Sequence, residues 1–335
     1  GSHRKGLSGT WRYRRTSGSS RVILEKSEKM VEQPPKVSIV IPNYNLDGYL
    51  ERTICSVVEQ EYQAKEVIVV DGNSTDNSHS IIDSYRDRLD KVVIEPDDGH
   101  ADAINKGFEN STGEIMGWIN SDDVLLPGCL ENVVEIFQKF PEVDWIVGNS
   151  SHISDHDHLL SSYPSRPFSR VRFLMGDIRW VQQESTFWRR SLWEKAGSNL
   201  DVNLRLAVDF ELWLRFSRHA KLYSVHVGLG AFRMRSAQRS KLFLQEYLKE
   251  VESVILKERN GLSQIEFERH LHLLQMPFML RHKHEADAFG KDVLEYDLQP
   301  IRFDMEELDW LNPNQSVLKS NTSHHRSVQE SRKVA

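Results

Sequence analysis

Val37-Ser38-Ile39-Val40-Ile41-Pro42-Asn43-Tyr44-Asn45 follows Pro34-Pro35 and is answered, after one helical stretch, by Glu66-Val67-Ile68-Val69-Val70-Asp71-Gly72. Both runs are apolar and β-branched at successive positions, the pattern of a strand covered on both faces. Between them Leu50, Ile54, Val57 and Val58 recur at i, i+4, i+7 and i+8, which builds one buried helix face. Strand, helix, strand in this space is a βαβ unit with parallel strands. The theme repeats: Ser74 to Arg88 reads as helix, Lys91-Val92-Val93-Ile94 as strand, Asp102 to Glu109 as short helix, and Glu114-Ile115-Met116-Gly117-Trp118-Ile119 as buried strand. The expected fold class is α/β, a Rossmann-like, doubly wound, mostly parallel sheet with helices on both faces.

Further along, Leu130 to Phe140 reads as helix and Val143 to Gly148 as strand; Asp201 to Arg218 contains an amphipathic helix, and Leu222 to Val225 and Leu229 to Met234 read as late strands. From Lys241 the composition is helical and highly charged. The expected organisation is a basic flexible tail (1–35), a catalytic domain (36–240, divided at 123/124), a helical appendage (241–311) and a polar tail (312–335), with no repeat at solenoid periods. Gly1-Ser2-His3 reads as an expression scar, and the basic residues Arg4 to Arg21 as a solvated tail or a contact with an anionic membrane surface.

Lys and Arg total 43 against 49 Asp and Glu, a formal charge of −6. That balance argues against a protein that coats nucleic acid. Cys55 and Cys129 stand in apolar or helical patterns, so neither a disulfide framework nor a thiolate zinc site is expected, and a reducing cytoplasm fits. No apolar run reaches about 18 residues and no signal-type segment precedes the first strand. The expected location is cytoplasmic, with peripheral contact at the inner face of the membrane as an option through the basic tail.

Chemistry gathers beyond the carboxyl ends of such strands. Asn120-Ser121-Asp122-Asp123 follows the Trp118 strand directly, and two carboxylates emerging there fit a hard cation that also holds phosphate. An Asx-turn that merely closes the strand explains the same residues. Asp71 closes its own strand before Gly72-Asn73-Ser74-Thr75-Asp76-Asn77, a turn whose N–H groups suit a nucleoside, or simply a good turn.

Taken together, Val37 to Asn45, Val69 to Asp76, Ala103-Ile104-Asn105-Lys106-Gly107 and Asn120 to Asp123 resemble family 2 glycosyltransferases of the GT-A fold, over roughly Lys36 to Arg239. The resemblance implies a nucleotide-sugar donor, with Pro42, Asn43 and Tyr44 lining the nucleoside pocket and Asp71 accepting hydrogen bonds from base or ribose. Asn105, Ser121 and Arg235 complete the donor side. Asp122, helped by Asp123, would ligate Mg²⁺ or Mn²⁺, which stabilises the charge on a departing diphosphate. Two departures stand out: many relatives carry Asp at Asn120 and His at Arg235. Arg cannot ligate a metal but can meet a diphosphate directly.

A second resemblance lies at Gln182-Gln183-Glu184-Ser185-Thr186-Phe187-Trp188-Arg189-Arg190 and Val208-Asp209-Phe210-Glu211-Leu212-Trp213-Leu214-Arg215, which in the family frames the acceptor site. Gln183, Glu184 and Trp213 are the expected acceptor contacts. Asp209, off the apolar stripe of Leu206, Phe210, Trp213 and Leu214, is the expected general base, with Glu184 as its rival; a carboxylate favoured by the helix dipole is the bland alternative. His152, His156 and His158 interleave with Asp155 and Asp157 in what reads as a solvated loop. Of the aromatics Trp180, Phe187, Trp188 and Trp193, most read as core and one as facing the acceptor.

The expected activity is an inverting, metal-dependent transfer of a sugar from a nucleoside-diphosphate sugar to a hydroxyl of a glycan or lipid-linked glycan. Among such relatives the usual setting is bacterial envelope or capsule polysaccharide assembly. The alternatives are a nucleotidyltransferase acting at phosphorus, which here lacks a Gly-rich basic phosphate loop, and a silent nucleotide-sugar- or carbohydrate-binding module.

Overall fold

Alternate residues of the first strand face two different cores. Ile39 and Ile41 pack with Leu50 and Ile54 of the following helix, whereas Val40 packs with Ile104 and Phe108 from the other side. Both faces are therefore closed, as the unbroken apolar runs require. The computed structural model describes residues 33–165, 168, 170–174, 181–235, 238, 242–265, 268, 301–305 and 309–312. The expectations for the basic N-terminal tail, for Trp180 and for the polar C-terminal tail beyond residue 312 fall outside these residues.

In chain order the first half supplies β1 (Val37–Asn43), α1 (Asp47–Val58), β2 (Lys65–Asp71), α2 (Ser78–Ser84), β3 (Lys91–Ile94), α3 (His100–Glu109) and β4 (Ile115–Trp118). β1 lies parallel to β2, with Asn43 opposite Asp71, and parallel to β4, with Val40 opposite Trp118. β3 adds to the far edge of β2, again in parallel. Gly107 on α3 lets that helix reach the sheet: a Cβ there would lie 2.3 Å from Val40 Cγ1, so any larger residue would force the helix away.

The second half contributes β5 (Val124–Leu125), α4 (Cys129–Lys139), β6 (Trp145–Val147), β7 (Ser150–Ser154), β8 (Leu159–Tyr163), α5 (Arg170–Leu174), β9 (Thr186–Arg189) and α6 (Arg190–Lys195). After these come α7 (Val208–Phe216), β10 (Leu222–Ser224), β11 (Gly230–Met234) and α8 (Leu244–Asn260). The main sheet has the order β10-β6-β9-β4-β1-β2-β3. It is mostly parallel, but β9 runs antiparallel to both β4 and β6. Sequence reading takes Gln182–Arg190 only as a motif; half of it is this central strand, with Phe187 and Trp188 buried on opposite faces.

Two further expectations need correction. The His-rich segment is not a loop throughout: β7 and β8 form a hairpin in a second sheet, ordered β5-β11-β7-β8, because Ser151 and Ile153 alternate inward while polar neighbours face out. The amphipathic helix expected within Asp201 to Arg218 is α7, Val208–Phe216. The appendage is not wholly helical either. After α8, β12 (Arg302–Asp304) pairs with β13 (Asp309–Leu311), Ile301 bridges Val225 of the catalytic domain, and Ile301 and Trp310 enter the same core as α1 and α4. No helix among the described residues is long and apolar enough to cross a membrane.

Candidate active site

The carboxyl ends of β1, β2 and β4 share one edge, where Gly72 N donates to Asn43 O (2.9 Å) and Ile119 N to Val40 O (2.9 Å). Asp71 is fully buried there. Its Oδ2 accepts from Asn43 Nδ2 (2.6 Å) and Ser74 Oγ (2.8 Å), and its Oδ1 from Ser74 N (2.7 Å), with His79 Nε2 3.0 Å away. Four contacts occupy the lone pairs a carboxylate offers, so Asp71 and Asn43 knit the two strand ends together and shape the turn beyond them. Pro42 is buried within β1, while the Tyr44 ring is 61 % exposed and forms the open wall of this corner.

Sequence reading passes over Asp97. A Cβ on Gly72 would lie 2.4 Å from Asp97 Oδ2 and 3.2 Å from the Tyr44 ring, so only glycine lets these side chains meet above the turn. Burial pushes the Asp97 carboxyl above its usual range. Its signal was legible: Asp97-Asp98-Gly99 closes β3 much as Asp71-Gly72 closes β2. Asn105 points elsewhere. Its Nδ2 donates to Leu200 O (3.0 Å) and its Oδ1 accepts from Leu200 N (2.7 Å), so the amide braces the loop before α7.

At the acidic turn the two aspartates part company. Asp123 is fully buried, accepts Arg233 N at 2.8 Å and Asn120 Nδ2 at 3.3 Å, and its carboxyl is pushed well up by burial and then by Asp122 and Glu184. It does not fit the metal-ligand role expected of it, because neither oxygen faces an open space. Asp122 keeps 17 % of its side chain exposed and takes Arg235 Nη2 on Oδ2 at 2.7 Å. Arg233 sits beneath with no exposure, donating Nε to Asp122 O (2.6 Å) and Nη1 to Ser154 O (3.0 Å), and pairing through Nη2 with Asp157 (2.6 Å). The acids of the β7–β8 turn, not its histidines, brace this corner.

Glu184 and Asp209 complete the acidic end. Glu184 lies in the one-turn 3₁₀ segment Gln183–Ser185 leading into β9, accepts from Gln182 Nε2, and is 3 % exposed. Burial, followed by the charges of Asp209 and Asp122, raises its pKa to about 7. Gly230 on β11 makes this possible, since a Cβ there would lie 2.0 Å from Glu184 O. Asp209, second residue of α7 and partly accessible, accepts Phe210 N at 2.8 Å, and burial raises it to about 6. Glu184 thus stands within electrostatic reach of both Asp122 and Asp209.

Gln183 donates Nε2 to Trp118 O (2.7 Å). Its Oε1 is buried without a partner, as are Ser121 Oγ, Asn120 Oδ1, Gln182 Oε1 and Arg235 Nε. Buried polar atoms are rarely left unpaired, and their concentration here is what a polar ligand would satisfy. Trp213 is a correction. It is 1 % exposed, stacks on Trp118 at 5.8 Å and packs against Trp145 and Trp188, so it has no surface to offer an acceptor. Phe187, Trp188 and Trp193 are likewise core. A concavity of about 420 Å³ near Lys91, Lys106 and Glu109 lies beside β3 and the end of α3, away from these carboxylates.

A family model described as Glycosyl transferase family 2 matches residues 38–195. An uncharacterized glycosyltransferase of Rickettsia prowazekii (strain Madrid E) is 30 % identical over 218 residues, covering 63 % of this chain and 68 % of the relative. The chain belongs to glycosyl transferase family 2. Solved structures place this family 2 member in the GT-A fold. S. aureus TarS 1–349 in complex with UDP-GlcNAc superposes with a TM-score of 0.56 at 16 % identity, over 78 % of each chain. The mannosyltransferase PcManGT from Pyrobaculum calidifontis, in complex with GDP-Man and Mn²⁺, gives 0.53 at 19 % identity, over 72 % of this chain and 69 % of the other. A divalent cation is common in such enzymes, yet the residues here do not fit one held by the protein. Asp122 is the accessible carboxylate of the turn and already carries Arg235, and no three His, Cys, Asp or Glu side chains converge among the described residues.

Proposed function

We propose that this family 2 chain moves a sugar from a nucleoside-diphosphate sugar to a hydroxyl of a glycan or lipid-linked glycan, with inversion at the anomeric carbon. The observation that carries the reading is the pair of buried Glu184 and partly accessible Asp209, both with raised pKa values, with Glu184 in the field of Asp122 at the carboxyl edge of the sheet. Pairs of carboxyls tuned apart from their ordinary values are the usual equipment of acid–base chemistry. The donor's nucleoside lies against Tyr44, Gly72 and Asp97, with Asn43 and Asp71 holding that corner in shape.

Asp209, ionised above about pH 6, takes the proton of the acceptor hydroxyl. The acceptor oxygen bonds to the anomeric carbon as the bond from that carbon to the diphosphate oxygen breaks on the opposite side, and the electron pair leaves with the diphosphate. Glu184, still protonated below about pH 7, donates a hydrogen bond that orients the acceptor. A panel of nucleotide sugars tests this: release of nucleoside diphosphate supports glycosyl transfer, pyrophosphate supports attack at phosphorus, and release of neither with retained binding supports a silent module. Thermal shift with nucleoside diphosphates identifies the base.

A further inference from the structure

We propose that the Arg235 guanidinium, clamped to Asp122, is itself the positive charge that seats the donor's diphosphate, so that donor binding needs no divalent cation. The inference rests on the reading of the chain as a nucleotide-sugar transferase and adds what holds the diphosphate in that same site.

A cation shared by protein and diphosphate needs carboxylate or imidazole ligands facing open space. The turn after β4 presents a single such group, Asp122, and its Oδ2 is 2.7 Å from Arg235 Nη2. Asp123 is sealed behind it on Arg233 N and Asn120 Nδ2, and Asn120 brings no charge. A guanidinium has no lone pair to give a metal, so an ion arriving at Asp122 would meet a like charge at the place where a second ligand is needed.

Arg235 is also held in place. Its guanidinium carbon lies 5.4 Å from the centroid of the Tyr49 ring, and those of Arg233 and Arg52 lie 5.3 and 5.2 Å from the same ring. The Tyr49 hydroxyl donates to Asp155 Oδ1 at 3.1 Å, which fixes the ring, and the two flanking cations, Arg52 and Arg233, share the Asp157 carboxylate. Arg235 pairs one to one with Asp122, stays 14 % exposed, and keeps a buried Nε–H without an acceptor. A planar guanidinium with donors left over is the group best shaped to receive phosphate oxygens. Buried Ser121 Oγ, also unpartnered, adds a neutral donor at the same turn.

Calorimetric titration of the intact protein with UDP, GDP and inorganic pyrophosphate, in EDTA and then in Mg²⁺ or Mn²⁺, tests the inference. For the nucleotide that binds, affinity in EDTA is expected within about threefold of that with metal, and Arg235→Ala is expected to lose about tenfold or more in EDTA. Arg235→His, which supplies a metal ligand, should bind only with metal present. Wild-type affinity that falls tenfold or more in EDTA overturns the inference, and needs no variant to fold; accompanying metal-dependent release of nucleoside diphosphate would leave glycosyl transfer standing. Arg235→Ala with unchanged affinity overturns it too. Absence of diphosphate binding in every condition overturns both this inference and the functional reading beneath it.

Discussion

Taking the pH from 5 to 7 carries Asp209 from mostly protonated to mostly ionised. With a pKa of about 6, set by burial against the pull of the Phe210 N–H, roughly a tenth of the molecules hold the charged base at pH 5 and roughly nine-tenths at pH 7. If Asp209 accepts the acceptor proton while Glu184 keeps its own, kcat/KM rises about fivefold across that interval, with unit slope at its acid end. Glu184, near 7, gives up its donor proton through neutrality, so the profile peaks between about pH 6 and 7 and falls on the alkaline side. Removing the base by Asp209→Asn should lower turnover by about 10²- to 10⁴-fold, or about 3–5 kcal/mol in barrier, while nucleoside diphosphate affinity stays unchanged. Initial rates of nucleoside diphosphate release at constant ionic strength, with nucleotide binding measured in parallel, read both effects. A rate that is flat from pH 5 to 7, or an Asp209→Asn enzyme within tenfold of wild type, refutes the assignment.

The same carboxyls make stability fall with rising pH. Asp209 and Glu184 titrate at about 6 and about 7 in the fold against ordinary values of 3.8 and 4.5, so the native state holds their protons more tightly than the unfolded chain does. That contribution is complete below about pH 4 and is lost as pH rises through 6 and 7, at about 3 kcal/mol per group when fully ionised. Thermal melts should therefore drop between pH 5 and 8, and the Asp209→Asn, Glu184→Gln pair should flatten the trend. Trp213→Phe should cost about 1–3 kcal/mol in a denaturant titration and leave the acceptor KM unchanged, as fits a core side chain; a raised KM with native stability would contradict its placement. Asn105→Ala removes both bonds to the Leu200 backbone and should cost about 1–3 kcal/mol, with nucleoside diphosphate affinity kept. Weakened nucleotide binding at unchanged stability would return Asn105 to the donor pocket.

Where a residue's fate depends on its own strand or helix, reading the sequence succeeded. β1, β2 and β3 appear where the β-branched runs stand, and Asp71 and Asp122 emerge at strand ends because an apolar run must stop where the turn begins. Reading failed where distant segments decide. Nothing local tells Asp122 from Asp123; the difference is that Arg233, over a hundred residues later, caps one and Arg235 pairs the other. Trp213 lies on the same helix as Asp209, yet Trp118, Trp145 and Trp188 from three strands of the sheet bury it. β9 escaped because a four-residue antiparallel strand inserted between β4 and β6 runs straight into α6, with no turn residue to mark where it ends.

By itself the sequence determined the layers of this protein and the edge at which its polar side chains collect, since hydrophobic period and turn chemistry act within a few residues. The tertiary structure alone decided which of those side chains are buried, which are capped and which stay accessible. Burial, capping by far-off arginines and the closeness of like charges are set by neighbours that the chain brings together only on folding, and those three effects separate a reactive carboxyl from a structural one.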